Sequence, residues 1–109
     1  MSRRLTVNKA RQAVAESADG RYGVLLQHGT LELGYYTPQK VDRQRPHEQD
    51  EIYVVHSGKG TFVSGDQHQP FEAGDALFVS AGVEHRFEGF SDDFEAWAML
   101  YGPRVGATE

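Results

Sequence analysis

Short apolar runs, each followed by a turn rich in glycine or aspartate, recur from residue 22 to residue 101 of this 109-residue chain. Runs of this length are typical of strands, because the turn residues come too soon for a helix of several turns. We predict eight strands, at residues 22–27, 30–36, 51–56, 61–64, 69–71, 76–79, 85–90 and 94–101. No long helical period interrupts them, which argues against a parallel α/β fold. The sequence therefore predicts an all-β sandwich or barrel.

The first 19 residues differ from the rest of the chain. They include good helix formers, but their apolar residues Leu5, Val7 and Val14 do not form a clean helical stripe. We predict an N-terminal arm over residues 1–19 with at most one short helix, which would need to dock to be stable. Residues 20–109 are predicted to form a single β-barrel domain, because the chain is too short for two ordinary cores.

The overall composition excludes several classes of function. The chain contains no cysteine, so disulfides, thiolate metal sites and a cysteine nucleophile are ruled out. Eleven basic residues against 16 acidic ones give a net charge of −5, which argues against nucleic acid as a partner. No apolar segment is long enough to cross a bilayer or to act as a signal peptide. We therefore expect a soluble, cytoplasmic protein with no membrane partner.

Two histidines and a glutamate carry the strongest chemical signal. His47 and Glu51 are four positions apart where a loop becomes a strand, so they face the same way, as does Tyr53. His85 begins a later strand and shares its face with Phe87. If the barrel brings these two strands across its interior, two imidazoles and one carboxylate meet there. That donor set suits a divalent metal ion and resembles the facial triad of non-haem iron sites.

The spacing of these residues resembles the two sequence motifs of the cupin superfamily. His47, three residues, Glu51, six residues and Gly58 match the second half of the first motif. Gly82, two residues and His85 match part of the second motif. The chain also departs from these motifs at three positions. In the second motif, Ser80 replaces the usual proline and Gly89 the usual asparagine, and in the first motif Gln39 replaces a glycine.

The resemblance extends roughly over residues 22–101 and is to small single-domain cupins of the type-2 conserved barrel kind. It implies a jelly-roll β-barrel, or double-stranded β-helix, that is often a homodimer. It also implies one divalent metal ion (Fe, Mn, Ni or Zn) inside the barrel, held here by His47, Glu51 and His85. A dimer is expected on physical grounds too, because so small a domain buries a limited fraction of its surface alone.

Arg45 is the main departure from the family pattern. It stands where the first metal-binding histidine of the family belongs, and a guanidinium cannot ligate a metal. In one interpretation the three remaining ligands still hold the ion, with water or the amide oxygen of Gln44 or Gln49 completing the site. In the other, Arg45 points into the barrel, its charge replaces that of the metal, and it binds an anionic ligand.

These observations leave different classes of function open. The first is a metal-dependent enzyme, of the dioxygenase or the isomerase and lyase type, acting on a small polar organic molecule. In that hypothesis Arg45, Tyr53 and Phe87 bind the substrate, and Tyr53 is a candidate proton donor. The second is a non-catalytic module that binds or senses a small molecule, with Arg45 on an anionic group. A third is a structural dimer with an empty barrel. The other histidines, His28, His56 and His68, are expected to be exposed.

Overall fold

One helix and eight strands are present in the computed structural model, which describes residues 2–40, 42 and 47–104. In chain order their bounds are α1 Val7–Ala15, β1 Tyr22–His28, β2 Leu31–Tyr36, β3 Asp50–Ser57, β4 Lys59–Ser64, β5 Gln67–Glu72, β6 Ala76–Val79, β7 His85–Glu88 and β8 Glu95–Tyr101. The eight predicted strands are all present, with bounds that differ by at most two residues, so the all-β prediction is confirmed. Among the described residues, no helix is long and apolar enough to span a membrane.

The strands form two sheets that pack face to face as a jelly roll. One sheet has five strands in the order β1-β2-β8-β3-β6, and the other has three in the order β5-β4-β7. Every strand pair among the described residues is antiparallel. Strand β3 buries alternate residues, Glu51, Tyr53 and Val55, because the side chains of a strand alternate between its two faces. The charged side chain of Glu51 and the core side chains of Tyr53 and Val55 therefore point into the space between the sheets.

Aromatic rings fill one end of this space. The largest cluster joins Tyr53 to Phe62, Phe71, Phe87 and Phe94, which come from both sheets. The rings meet edge-on or tilted, with centroids 4.7 Å apart in the tightest pair, Phe87 and Phe94. Such pairs stabilise a fold by about 0.5–1.5 kcal/mol each beyond the burial of their area. The aromatic core therefore holds the two sheets in a fixed relation to each other.

Helix α1 docks on the outer face of the five-stranded sheet. Ala10 and Val14 are buried against Tyr35 of β2, with Val7 and Trp97 packed around them. The helix begins at the N-cap Thr6, whose hydroxyl accepts a hydrogen bond from the backbone N–H of Lys9 at 3.2 Å. The helical stripe that the sequence analysis did not find is completed by Ala10, whose small side chain lets the helix lie close to the sheet.

Gly23 of β1 provides the closest contact between helix and sheet. A Cβ atom at this position would overlap the backbone of Ala13 and Val14 in α1. The absence of a side chain at position 23 therefore sets the distance at which the helix docks.

Replacing Gly23 with alanine should destabilise the protein by about 1–3 kcal/mol, because overpacking forces the helix away from the sheet. Thermal unfolding followed by circular dichroism measures the effect, which corresponds to a fall of several degrees for a domain of this size. The matched control is Val24→Ala, in the same strand at a side chain that is 45% exposed. Equal melting temperatures for Gly23→Ala and the parent would contradict this account of helix docking.

Candidate functional site

His47, Glu51 and His85 meet between the two sheets. His47 lies just before β3, Glu51 is the second residue of β3, and His85 is the first residue of β7 in the opposite sheet. Each of the three offers a ligand atom within 4.8 Å of the others. Glu51 is 2% exposed and His85 is 3% exposed, whereas His47 is partly exposed. The cluster is therefore buried on one side and reaches solvent through His47.

The Glu51 carboxylate lies between the two imidazoles. Its Oε1 is 3.3 Å from Nε2 of His47 and 3.4 Å from Nε2 of His85. Nδ1 of His85 lies 2.9 Å from the carbonyl oxygen of Val83, so Nδ1 carries a proton and donates it to that carbonyl. A neutral His85 then presents Nε2 to the cluster as a lone-pair acceptor.

This arrangement places two acceptors opposite each other with no hydrogen between them. Oε1 of Glu51 is buried and has no hydrogen-bond partner among the described residues. A buried carboxylate oxygen without a donor is costly, and a cation between it and Nε2 of His85 removes that cost. The cation can be a proton on His85 or a metal ion shared by the cluster.

The charge of Glu51 shifts the titration of its neighbours. Burial alone lowers the pKa of His85, but the Glu51 carboxylate and the Val83 carbonyl outweigh it, so the pKa lies above its ordinary value. Burial, and then the negative charge of Glu51, raise the pKa of Tyr53 well above its usual range. The Tyr53 hydroxyl therefore stays protonated, and it lies 3.1 Å from Nε2 of His85.

The donor set and its spacing fit a divalent metal ion. Two atoms that each bind one ion at about 2.1 Å lie about 3–3.4 Å apart, depending on the bond angle. The distances from Oε1 of Glu51 to both imidazole nitrogens fall in this range. Two imidazoles and one carboxylate suit iron, manganese, nickel and zinc, and three protein ligands leave positions open for water or substrate.

A cavity of about 470 Å³ opens beside the cluster, a volume suited to a small metabolite. The described residues that line it are mostly polar: Asp19, Arg21, Tyr22, Glu32, Tyr36, His47, Glu48, Gln49, Glu51, Tyr53, Ala98, Leu100 and Arg104. The cavity exists because β8 contributes the small residue Ala98 opposite Tyr53. It lies at the end of the sandwich where β3 begins, away from Val55 and the aromatic core.

Of the other two residues that were predicted to bind substrate, one lies in the core and one lies outside the described residues. Phe87 is 2% exposed and packs in the aromatic core, with its ring centroid 5.0 Å from that of Tyr53. It supports the Tyr53 ring from behind. Arg45, together with Gln44, lies outside the described residues.

The remaining polar residues singled out from the sequence have structural or exposed positions. The side-chain amide of Gln49 donates to the carbonyl oxygens of Thr30 and Gly102, at 2.8 and 2.9 Å. It therefore ties the β1–β2 turn to the end of β8. The three histidines outside the cluster are exposed, namely His28, His56 and His68.

Sequence reasoning missed the opposite wall of the cavity. The Tyr22 hydroxyl donates to Oε2 of Glu32 at 2.7 Å, and burial followed by this contact raises the pKa of Tyr22. The Tyr22 ring occupies the space above Gly34, where a Cβ atom would overlap it. Glu32, Gly34 and Tyr36 share one face of β2, so the alternation of the strand was the available signal.

A sequence profile described as a cupin domain matches residues 32–98 of the chain. An uncharacterised protein of Streptomyces coelicolor is 31% identical over 94 residues, which cover 84% of this chain and 90% of that protein. The match therefore spans nearly the whole of both proteins.

Two solved structures share the fold. A conserved protein of Klebsiella pneumoniae with a double-stranded β-helix domain has a TM-score of 0.73 at 17% identity, covering 93% of this chain and 90% of that one. A variant of Streptomyces PAC13 in a structure with uridine has a TM-score of 0.61 at 18% identity, covering 73% of this chain and 66% of that one.

Replacing Glu51 with glutamine should raise the melting temperature of the metal-free protein at pH 8.5. The amide can donate to Nε2 of His85, which removes an unsatisfied buried acceptor that costs about 1–3 kcal/mol. The same variant should lose any stabilisation by added Mn²⁺ or Zn²⁺. Thermal melts with chelator and with metal test both effects, with the exposed Glu72→Gln as control. A lower melting temperature in chelator, or a retained metal effect, would contradict this description of the site.

Proposed function

We propose that this chain, which belongs to the cupin domain family, binds one divalent metal ion through His47, Glu51 and His85 and acts on a small polar organic molecule. The observation that carries the proposal is the buried Oε1 of Glu51, which faces two imidazole nitrogens and has no hydrogen-bond partner among the described residues. When bound, the ion supplies a Lewis acid with open coordination positions next to the cavity.

The protein's own groups prepare this site for chemistry. The Val83 carbonyl fixes the ring of His85 so that Nε2 faces the cluster. Tyr53 holds a proton in the cavity wall, because burial and the charge of Glu51 oppose its ionisation. In this proposal the Tyr53 hydroxyl donates that proton to a substrate oxygen as negative charge develops there.

The reaction class is of the dioxygenase type or of the isomerase and lyase type, since both use an ion with open positions. A second candidate function is a binding or sensing module without turnover. The structure of the Streptomyces PAC13 variant with uridine is consistent with a small polar ligand for this fold in either function. Metal-dependent consumption of a bound molecule favours the enzyme, whereas binding without any change in the molecule favours the module.

Protein purified without a tag and without nickel resin should contain about one equivalent of metal by elemental analysis. The variants His47→Ala and His85→Ala should each lose it, because two ligands rarely hold a divalent ion against dilution. The control is His56→Ala, which removes an exposed imidazole from the same strand as Glu51.

No metal in the parent after reconstitution with iron, manganese, nickel or zinc would overturn the proposal. So would an unchanged metal content in both cluster variants. If His56→Ala alone lost metal, the site would lie on the protein surface instead.

We also propose that the protein is a cytoplasmic homodimer. An apolar row crosses the outer face of the five-stranded sheet beyond α1: Leu33 pairs with Met99, Met99 with Ile52, and Ile52 with Phe78. Phe78, on the edge strand β6, is 55% exposed. Covering this row with a second copy would bury it, which a small domain benefits from. A chain without cysteine fits a reducing compartment.

Light scattering after size exclusion should give twice the 12.2 kDa mass of the chain. Phe78→Glu should shift the protein to the monomer, because it places a charge in the interface. Val24→Glu is the control, since β1 and β6 are opposite edges of the sheet. A parent that is monomeric at high micromolar concentration, or a dimer unaffected by Phe78→Glu, would contradict the proposed interface.

A further inference from the structure

Arg21, immediately before β1, lines the cavity and forms no ion pair with any of the described residues. Its Nε is buried and has no hydrogen-bond acceptor among the described residues, and none of the ion pairs among those residues involves its guanidinium. The other arginine of the wall, Arg104, has an ion pair with Glu48 at 3.7 Å. A buried donor is satisfied in nearly all native structures, so we expect at Arg21 an acceptor that is not among the described residues, such as a bound ligand.

Two carboxylates of the same wall, those of Asp19 and Glu32, accept hydrogen bonds from other donors. Oδ1 of Asp19 accepts the backbone N–H groups of Arg21 and Tyr22, at 2.9 and 3.2 Å. Glu32 accepts the Tyr22 hydroxyl at 2.7 Å and the side-chain amide of Gln27 at 2.9 Å. Each carboxylate thus already has donors, and neither forms an ion pair with Arg21 in the described part of the chain.

We propose that Arg21 binds a carboxylate of the small molecule that occupies the cavity, and so determines which molecules the site accepts. A guanidinium matches a carboxylate with two parallel hydrogen bonds, which gives both charge and orientation. Arg21 lines the same cavity as His47 and Glu51. A small organic acid with its carboxylate on Arg21 can thus direct its other end to the metal cluster. The choice of substrate class rests on the function proposed above.

The charge of the cavity favours one carboxylate over a more highly charged anion. Among the described lining residues, four are acidic (Asp19, Glu32, Glu48 and Glu51) and two are arginines. A phosphate dianion would meet a surplus of negative charge in this wall, whereas a single carboxylate has one opposite charge directly available at Arg21. The inferred ligand is therefore a small monocarboxylic acid.

The test uses a panel of small organic acids, each paired with its primary amide, because the pair differs in charge and hardly in shape. Binding is measured by calorimetry, with and without one equivalent of Mn²⁺ or Zn²⁺, and by the shift of the Arg21 Nε–H resonance in nitrogen-15 NMR spectra, with and without the diamagnetic Zn²⁺. At least one acid should bind, and should do so at least tenfold more tightly than its amide. Arg21→Gln should weaken that acid at least tenfold, and Arg21→Lys should restore part of the affinity.

The controls separate a local effect from a general one. Arg86→Gln removes a positive charge from an exposed position of β7, and it should change the affinity less than twofold. Arg45→Gln tests the arginine that the sequence analysis assigned to an anionic ligand. The proposal is overturned if no acid of the panel binds, if Arg21→Gln binds like the parent, or if only Arg45→Gln loses binding.

The metal content of each variant distinguishes this failure from failure of the proposed function. A parent that holds metal but binds no acid through Arg21 refutes only the carboxylate assignment. A parent that holds no metal, yet binds an acid through Arg21, refutes the metal proposal and keeps Arg21 as the anion-binding residue. An ion pair of Arg21 with Asp19 or Glu32 in solution would appear as an Arg21 resonance that no acid shifts, and would overturn the assignment as well.

Discussion

The site depends on the buried carboxylate of Glu51, which lies between the two sheets. A carboxylate in such a position is stable only when positive charge or hydrogen-bond donors compensate its lost hydration. Imidazoles approach it from two sides, His47 from the segment just before β3 and His85 from the opposite sheet. Groups from both sheets therefore compensate this charge. A cation bound in the cluster would stabilise the fold and would also provide the chemistry of the site.

The interior of the sandwich is packed differently at its two ends. At one end, rings from both sheets fill the space, and Phe87 packs between Tyr53 and Phe94. At the other end, the small residue Ala98 lines the cavity, and Gly34 makes room for the ring of Tyr22. Tyr53 stands at the boundary, because its ring belongs to the core while its hydroxyl reaches His85. The packed aromatic core thus fixes the positions of the side chains that line the cavity.

Strand alternation made the centre of the site predictable from the sequence. The same face of β3 carries Glu51 and Tyr53, and the family spacing added His85, so three residues distant in sequence could be grouped in advance. Alternation gives the face of a strand but not the depth of a residue along the sandwich. Phe87 shares its face with His85 and yet lies in the core, whereas the sequence analysis expected it beside a ligand.

The far wall of the cavity was not predictable in the same way. Arg21 precedes β1, and its position beside the cluster depends on the pairing of β1 with β2 and of β2 with β8. The sequence indicated that a helix in the arm would need to dock, but it did not show which face docks, because Ala10 joins the buried stripe only when a close-packed sheet lies opposite it. Both are properties of tertiary contacts, and no local pattern of residues encodes them.

The most direct test of the account is a crystal structure of the protein soaked with Mn²⁺ or Co²⁺, with anomalous scattering recorded at the absorption edge of the metal. The account predicts one strong anomalous peak, about 2.0–2.3 Å from Oε1 of Glu51 and from Nε2 of His47 and His85. Peaks only at exposed histidines such as His56 or His68, with none between the two sheets, would contradict it.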